Sequence, residues 1–286
     1  IMSFTKKIVE VRITLTSGTF SGGANTKIIR GLPVKAEISN PGFPAMANAK
    51  ISISGISQDD LEALTFLAFR PLTYAQNNVV SVYAGDDETG LSLAFMGNIV
   101  TSVPNYNAAP DVTLEIEAMA GYYAKLLAVP PYTFKGSIPV ASILQDICQQ
   151  AGFVFVNEGE TKSALNPYLK GSPLQKIITL ANSYNLNIVV NGETVTLKPS
   201  KGDSLVISVL NKNSGMIGYP DFTANGIRIK SEYLPTVNVG NLIKVESLVP
   251  KATGLWSVIS VNHSLGAHMD NAPWFTTIEA NYPGGL

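Results

Sequence analysis

Cysteine occurs once in this sequence, at position 148, and histidine only twice. A single cysteine excludes an intrachain disulfide framework and points to a protein made in a reducing compartment. Charge is also scarce: Asp, Glu, Lys and Arg make up 14% of the 286 residues, against about 25% in an ordinary soluble domain. The net charge of −1 removes the electrostatic case for a nucleic-acid or acidic-membrane binder. Long apolar runs are missing too, although mean hydropathy is +0.18. No window approaches the roughly 18 to 20 uninterrupted apolar residues of a membrane span. Residues 8–15 do not read as a secretion signal, because Glu10 and Arg12 interrupt them. A chain with so few charges must expose uncharged polar surface, which its Ser and Asn supply in part, or bury surface against partners. Large subunit interfaces are therefore expected.

What is present begins in the middle, where residues 137–199 read as helix then strand, twice over. Ser137 is placed to cap a helix whose first turn accepts Pro139. Val140, Ile143, Leu144 and Ile147 recur at helical spacing before Gly152 ends it. A strand over 153–156 follows. Ser172 caps a second helix, with Pro173 in first position and Leu174, Ile177, Ile178 and Ala181 on one face. Strands over 186–190 and 193–198 then flank Asn191-Gly192, a pair that predicts a hairpin turn with both residues at positive φ. The result is a compact αβαββ module, with Cys148 beside Ile147 as a buried, inert thiol.

On both sides of the module, apolar and polar residues alternate as in β-sheet. In 7–15, Val9, Val11, Ile13 and Leu15 face one way. Further strands are expected over 35–39, 49–54, 79–83, 91–103 and 111–118, with Leu91, Leu93, Phe95, Gly97 and Ile99 alternating with other residues in the fourth of these. Ser57 opens a short helix carrying Leu61, Leu64 and Ala68 inward, and Pro71 closes it. This reads as a β-barrel or strongly curved sandwich with one packed helix. A short helix over 121–129 and a hinge at Pro130-Pro131 lead into the middle module. After it, strands are expected over 205–210, 226–233, 242–247, 255–263 and 274–280, punctuated by Gly215, Gly218, Pro220, Pro235, Gly240 and Gly266. The domains are thus 1–132, 133–200 and 201–286. Both flanks end alike, in a strand, a polar loop and Ile-Glu-Ala, at Ile116-Glu117-Ala118 and Ile278-Glu279-Ala280. This echo points to two related β-lobes.

No catalytic constellation stands out. His263, His268 and Asp270 share one predicted loop, but they lack the one-face spacing of a helical zinc pair, and a hydrogen-bonded strand-end histidine is the better reading. Asp86-Asp87-Glu88 lacks the spaced oxygens of a calcium loop. Asp59, Asp60 and Glu62 suit the positive end of a helix. Nucleophile elbows, phosphate-cradling loops and dinucleotide fingerprints are absent from the sequence. Trp256 and Trp274 fall on strands, where core packing is expected before a sugar platform. No catalytic, cofactor-binding or metal-ligating residue is assigned, and no cofactor is expected.

The order of parts resembles the baseplate hub family of bacteriophage tails, which is related to late control proteins and to the hub part of type VI secretion spikes. The likeness runs through a β-lobe, Gly121-Tyr122-Tyr123, Lys135-Gly136-Ser137 leading into Val140, Ile143 and Leu144, and Ala151-Gly152. It continues in Asn225-Gly226-Ile227, Val239-Gly240-Asn241, Gly254-Leu255-Trp256-Ser257-Val258, Val261-Asn262-His263, and Trp274 and Thr276 before Glu279-Ala280. The resemblance implies a mainly β fold with α+β character, in which two tail-tube-like β-barrel lobes flank the αβαββ module. It implies a structural protein rather than an enzyme, located in the virion baseplate and assembled in the host cytoplasm. Its partners would be two further copies of itself in a homotrimer with a pseudo-six-fold ring, the tail tube or distal tail protein, the central spike, the tape-measure protein, and DNA only in transit, with no membrane. The alternative is a cell-wall or glycan-binding β module, with a hydrolase third.

Overall fold

The computed structural model describes residues 5–20, 22–65, 78–107, 109, 112–199 and 206–283. The first flank contains strands β1 (Lys7–Thr14), β2 (Thr26–Arg30), β3 (Val34–Asn40) and β4 (Asn48–Ser54), and helix α1 (Gln58–Ala63). Strands β5 (Val79–Asp86), β6 (Gly90–Asn105) and β7 (Thr113–Met119) complete it. Alternation places the core as expected in most strands: Val9, Val11, Ile13, Ile51, Ile53, Leu114 and Ile116 are buried. Two details differ. Strand β1 is covered on both faces, so that Ile8 and Glu10 are buried as well, and Glu10 is held by Arg12 at 2.7 Å and Arg30 at 3.7 Å. In β6 a register shift opposite Val82/Tyr83 breaks the alternation, leaving Leu93 exposed; a bulge of this kind turns the following side chains to the other face. Ser57 caps α1 by accepting from the Asp60 amide at 3.3 Å, and Leu61 and Leu64 are buried. Ala68, Pro71 and Asp111 lie outside the described residues.

The middle region holds helix α2 (Tyr122–Leu126), strands β8 (Tyr132–Thr133) and β9 (Ser137–Pro139), helix α3 (Val140–Ala151), and strands β10 (Val154–Asn157), β11 (Ser163–Leu165) and β12 (Tyr168–Leu169). Helix α4 (Pro173–Tyr184) and strands β13 (Asn187–Asn191) and β14 (Thr194–Lys198) close it. Three expectations need correction. Ser137 does not cap α3: it belongs to β9, paired with β11, and α3 starts after Pro139, whose extended backbone suits the boundary. In α4 the buried face is Leu174, Ile177, Leu180 and Ala181 together with Lys176, whereas Ile178 is only half-buried. The hairpin turn is Gly192-Glu193, because Asn191 pairs with Thr194, and of these turn residues only Gly192 has positive φ, 56°. A glycine first in a two-residue turn is the other hairpin solution open to the chain. The remaining features follow the sequence: Ser172 and Gln175 form a reciprocal capping box with Pro173 at the helix start, and Gly152 closes α3 in the left-handed conformation. Strand β14 lies between β13, antiparallel, and β10, parallel.

The last flank contains β15 (Val206–Leu210), β16 (Met216–Thr223), β17 (Gly226–Glu232), β18 (Leu242–Val245), β19 (Gly254–Ala267) and β20 (Trp274–Asn281). Strand β16 was not expected, since Gly218 and Pro220 read as punctuation; the structure fits them by a register break between Ile217 and Asp221. Proline is tolerated there because β16 is an edge strand.

Among the described residues, thirteen strands from both flanks form one sheet, ordered β16-β17-β20-β19-β3-β4-β7-β6-β5-β1-β2, with β18 on β19 and β15 on β18. The chain clusters into two units: Ile1–Pro41, Ala47–Met119 and Ser204–Leu286 make one, and Gly42–Met46 with Ala120–Asp203 the other. The short 42–46 segment is part of the second unit because Phe43 packs on the core built around α3 and α4. Its loop composition gave no sign of this.

Candidate assembly surface

Most of the residues singled out in the sequence for their chemistry are held by contacts within the fold. His263 lies within β19, not in a loop, and its Nδ1 is 2.9 Å from Oγ1 of buried Thr276. Burial lowers its pKa to about 4. His268 lies after the strand, exposed, with φ 56°, and no group of three or more His, Cys, Asp or Glu side chains converges among the described residues. Asp86 accepts from the amides of Glu88 at 2.9 Å and Thr89 at 2.6 Å, which holds its carboxyl below the usual range and ties the hairpin tip. Asp60 pairs with Lys27 at 2.8 Å. Trp256 is 2% exposed and donates to the Ala252 carbonyl at 2.9 Å, while Trp274 is half-buried against Tyr233. Neither forms an open platform.

What the structure does bring together is a repeated strand array. In the first flank β7 lies between β4 and β6. Ala118, Glu117 and Ile116 face Ala49, Lys50 and Ile51 on one side, and Ile99, Thr101 and Ser102 on the other. In the last flank β20 lies between β17 and β19. Ala280, Glu279 and Ile278 face Ile227, Arg228 and Ile229 on one side, and Val258, Ser260 and Val261 on the other. Each array skips one residue at the same place, Val100 in β6 and Ile259 in β19. Each also pairs its central glutamate with a cation on the neighbouring strand: Glu117 with Lys50 at 3.1 Å and Glu279 with Arg228 at 2.7 Å. The order continues outward, since β3 follows β4 as β16 follows β17, and β5 joins β6 as β18 joins β19. The likeness ends at the next strand: β1 runs antiparallel to β5, whereas β15 runs parallel to β18.

The family model described as Baseplate hub gp41 matches residues 8–280. The chain belongs to the baseplate hub gp41 family. Solved structures agree in fold. A tail protein from Neisseria meningitidis MC58 aligns over 98% of the hub chain and 97% of its own, with a TM-score of 0.66 at 11% identity. A 43 kDa tail protein of prophage MuSo2 from Shewanella oneidensis covers 95% and 96%, with a TM-score of 0.65 at 10% identity. The E. coli c3393 protein is described as a type VI secretion component similar in structure to the T4 tail proteins gp27 and gp5. It covers 95% and 77%, with a TM-score of 0.60 at 10% identity. No curated protein matches the hub in sequence.

Two strand stretches of the large sheet have a side that pairs with no other strand among the described residues. Among the described residues β16 pairs with β17 alone, and it exposes Ile217 (44%), Tyr219 (61%) and Phe222 (58%). On β6, residues 90–98 pair with β5 and 98–105 with β7. The side of 101–105 away from β7 carries no strand among the described residues. The glycine and proline that mask β16 as a strand in the sequence also mask this surface.

Proposed function

We propose that this hub protein acts as a homotrimer whose β-lobes form a pseudo-six-fold ring joining the tail tube to the central spike. In this reading 1–132 and 201–286 supply the ring lobes and 133–200 a separate module. The ring encloses the channel taken by the tape-measure protein and later by DNA. The partners are the tail tube or distal tail protein on one side and the spike on the other. The chain would act without catalysis, as a virion part assembled in the host cytoplasm. The observation that carries this reading is the doubled array around Glu117 and Glu279, because two like lobes per chain let three chains match six-fold symmetry above and three-fold symmetry below. Scarce charge supports it, since ring lobes bury their flanks against neighbours.

Light scattering on the purified protein, over a range of concentrations, tests the reading. A mass of three chains is expected. A monomer at every concentration, with no incorporation into assembling tails, would count against it.

A further inference from the structure

We propose that the bare edge of β16 adds to the bare edge of β6 in a second copy of the chain, antiparallel, with Asp221 opposite Asn105, Phe222 opposite Pro104 and Thr223 opposite Val103. The pairing follows from a joint that each chain already contains. Strand β3, the outer strand of the first array, pairs with β19 of the second, matching Glu37 with Ser264, Ile38 with His263 and Ser39 with Asn262. The two arrays can be laid over one another by their registers. Lys50 corresponds to Arg228, because each faces the central glutamate. Glu37 faces Lys50 and Asp221 faces Arg228, so Glu37, Ile38 and Ser39 of β3 correspond to Asp221, Phe222 and Thr223 of β16. On the other strand, Thr113 faces Asn105 as Phe275 faces Ser264, and Leu114 faces Pro104 as Thr276 faces His263. Asn105, Pro104 and Val103 therefore stand where Ser264, His263 and Asn262 stand. The in-chain joint links lobe one to lobe two; the same step repeated links lobe two to lobe one of the next chain.

Both halves of the second joint are present and unused among the described residues. Unpaired strand edges readily recruit another chain, and a head-to-tail contact of this kind generates rings where the rotation closes. Side chains agree with the occupant. Phe222 and Tyr106 are 58% and 53% exposed. Tyr106 lies two residues beyond Pro104, which makes it the diagonal neighbour of Phe222 across the joint, within reach of an aromatic contact. The number of chains in the ring rests on the hub reading; the register does not.

Engineered cysteines test the register. Adjacent antiparallel pairs alternate between hydrogen-bonded and closer non-hydrogen-bonded spacing, so two double variants are made: Thr223→Cys with Val103→Cys, and Phe222→Cys with Pro104→Cys. Native Cys148 is buried and stays in place. After oxidation, at least one double variant should give a covalent ladder of chains on a non-reducing denaturing gel. The single variants should not ladder, nor should Thr223→Cys with Leu93→Cys, whose stretch of β6 is occupied by β5. Unsubstituted protein supplies a second readout: neighbouring strand amides point to opposite sides, so whichever of the Phe222 and Thr223 amides faces away from β17 should exchange about tenfold or more slowly in the oligomer than in the dilute chain. A trimer by light scattering with neither ladder nor slowed exchange would overturn this joint and leave the hub reading standing. A ladder as strong in the Leu93 control would overturn it equally. Protein that stays monomeric, uncross-linked and unprotected would overturn both.

Discussion

Nδ1 of His263 lies 2.9 Å from Oγ1 of Thr276, and the same hydroxyl oxygen accepts from the Leu234 amide at 3.0 Å. The arrangement that leaves no hydroxyl proton idle has Thr276 donating to Nδ1, so the neutral ring carries its proton on Nε2. Tyr233 packs edge-on to this imidazole, with centroids 5.3 Å apart. Burial disfavours the imidazolium and lowers the pKa to about 4.

A pH dependence follows. The unfolded histidine binds a proton below about 6.5 while the folded one binds it only below about 4, so the unfolded state holds more protons in between. The contribution to stability is complete above the unfolded pKa and lost as pH falls through this window, by on the order of 3 kcal/mol in total. Denaturant midpoints measured from pH 7 to pH 4 should fall more steeply in the native sequence than in His263→Gln. Parallel curves would show that the histidine is not the group responsible.

Cys148 is buried on α3, and burial pushes its thiol up to about 12. Thiolate is the reactive form. A disulfide reagent at pH 8 should therefore modify the native protein very slowly and the denatured protein at once. Prompt native labelling would mean that α3 opens far more readily than its core packing implies.

The doubled array makes a paired prediction about stability. Ile116 and Ile278 occupy matching positions and are both buried. Ile116→Ala and Ile278→Ala should each cost about 2–5 kcal/mol. Glu117→Gln and Glu279→Gln remove one partner of exposed ion pairs and should each cost about 1 kcal/mol or less. Chemical unfolding of the four variants checks both halves, and matched variants of clearly unequal cost would contradict the equivalence of the two arrays.

The hairpin between β13 and β14 turns on Gly192 at φ 56°, with Asn191 serving as the last paired residue of β13. Gly192→Ala should cost about 1–2 kcal/mol through the left-handed backbone, whereas Asn191→Ala should cost only a few tenths. Thermal melts read the difference. The reverse order would restore Asn191-Gly192 as the turn.

Local patterns settled much of this protein in advance. The capping box at Ser172, the left-handed Gly152, the buried stripe of α3 and the alternation in β7 depend on neighbours within a few residues, so they are written where they act. Even the Ile-Glu-Ala echo was visible, because burial fixes two residues of the triplet and the third meets a cation across the strand. Long-range pairing decided the rest. Only the fold could place His263 inside β19 rather than in a loop, since its partner Thr276 arrives from the next strand. Only the fold could draw Phe43 into the core of the middle region, or join β3 to β19 across more than two hundred residues. Strand β16 shows the reason most clearly. Its Gly218 and Pro220 oppose a strand by local propensity, and pairing with β17 overrides that preference.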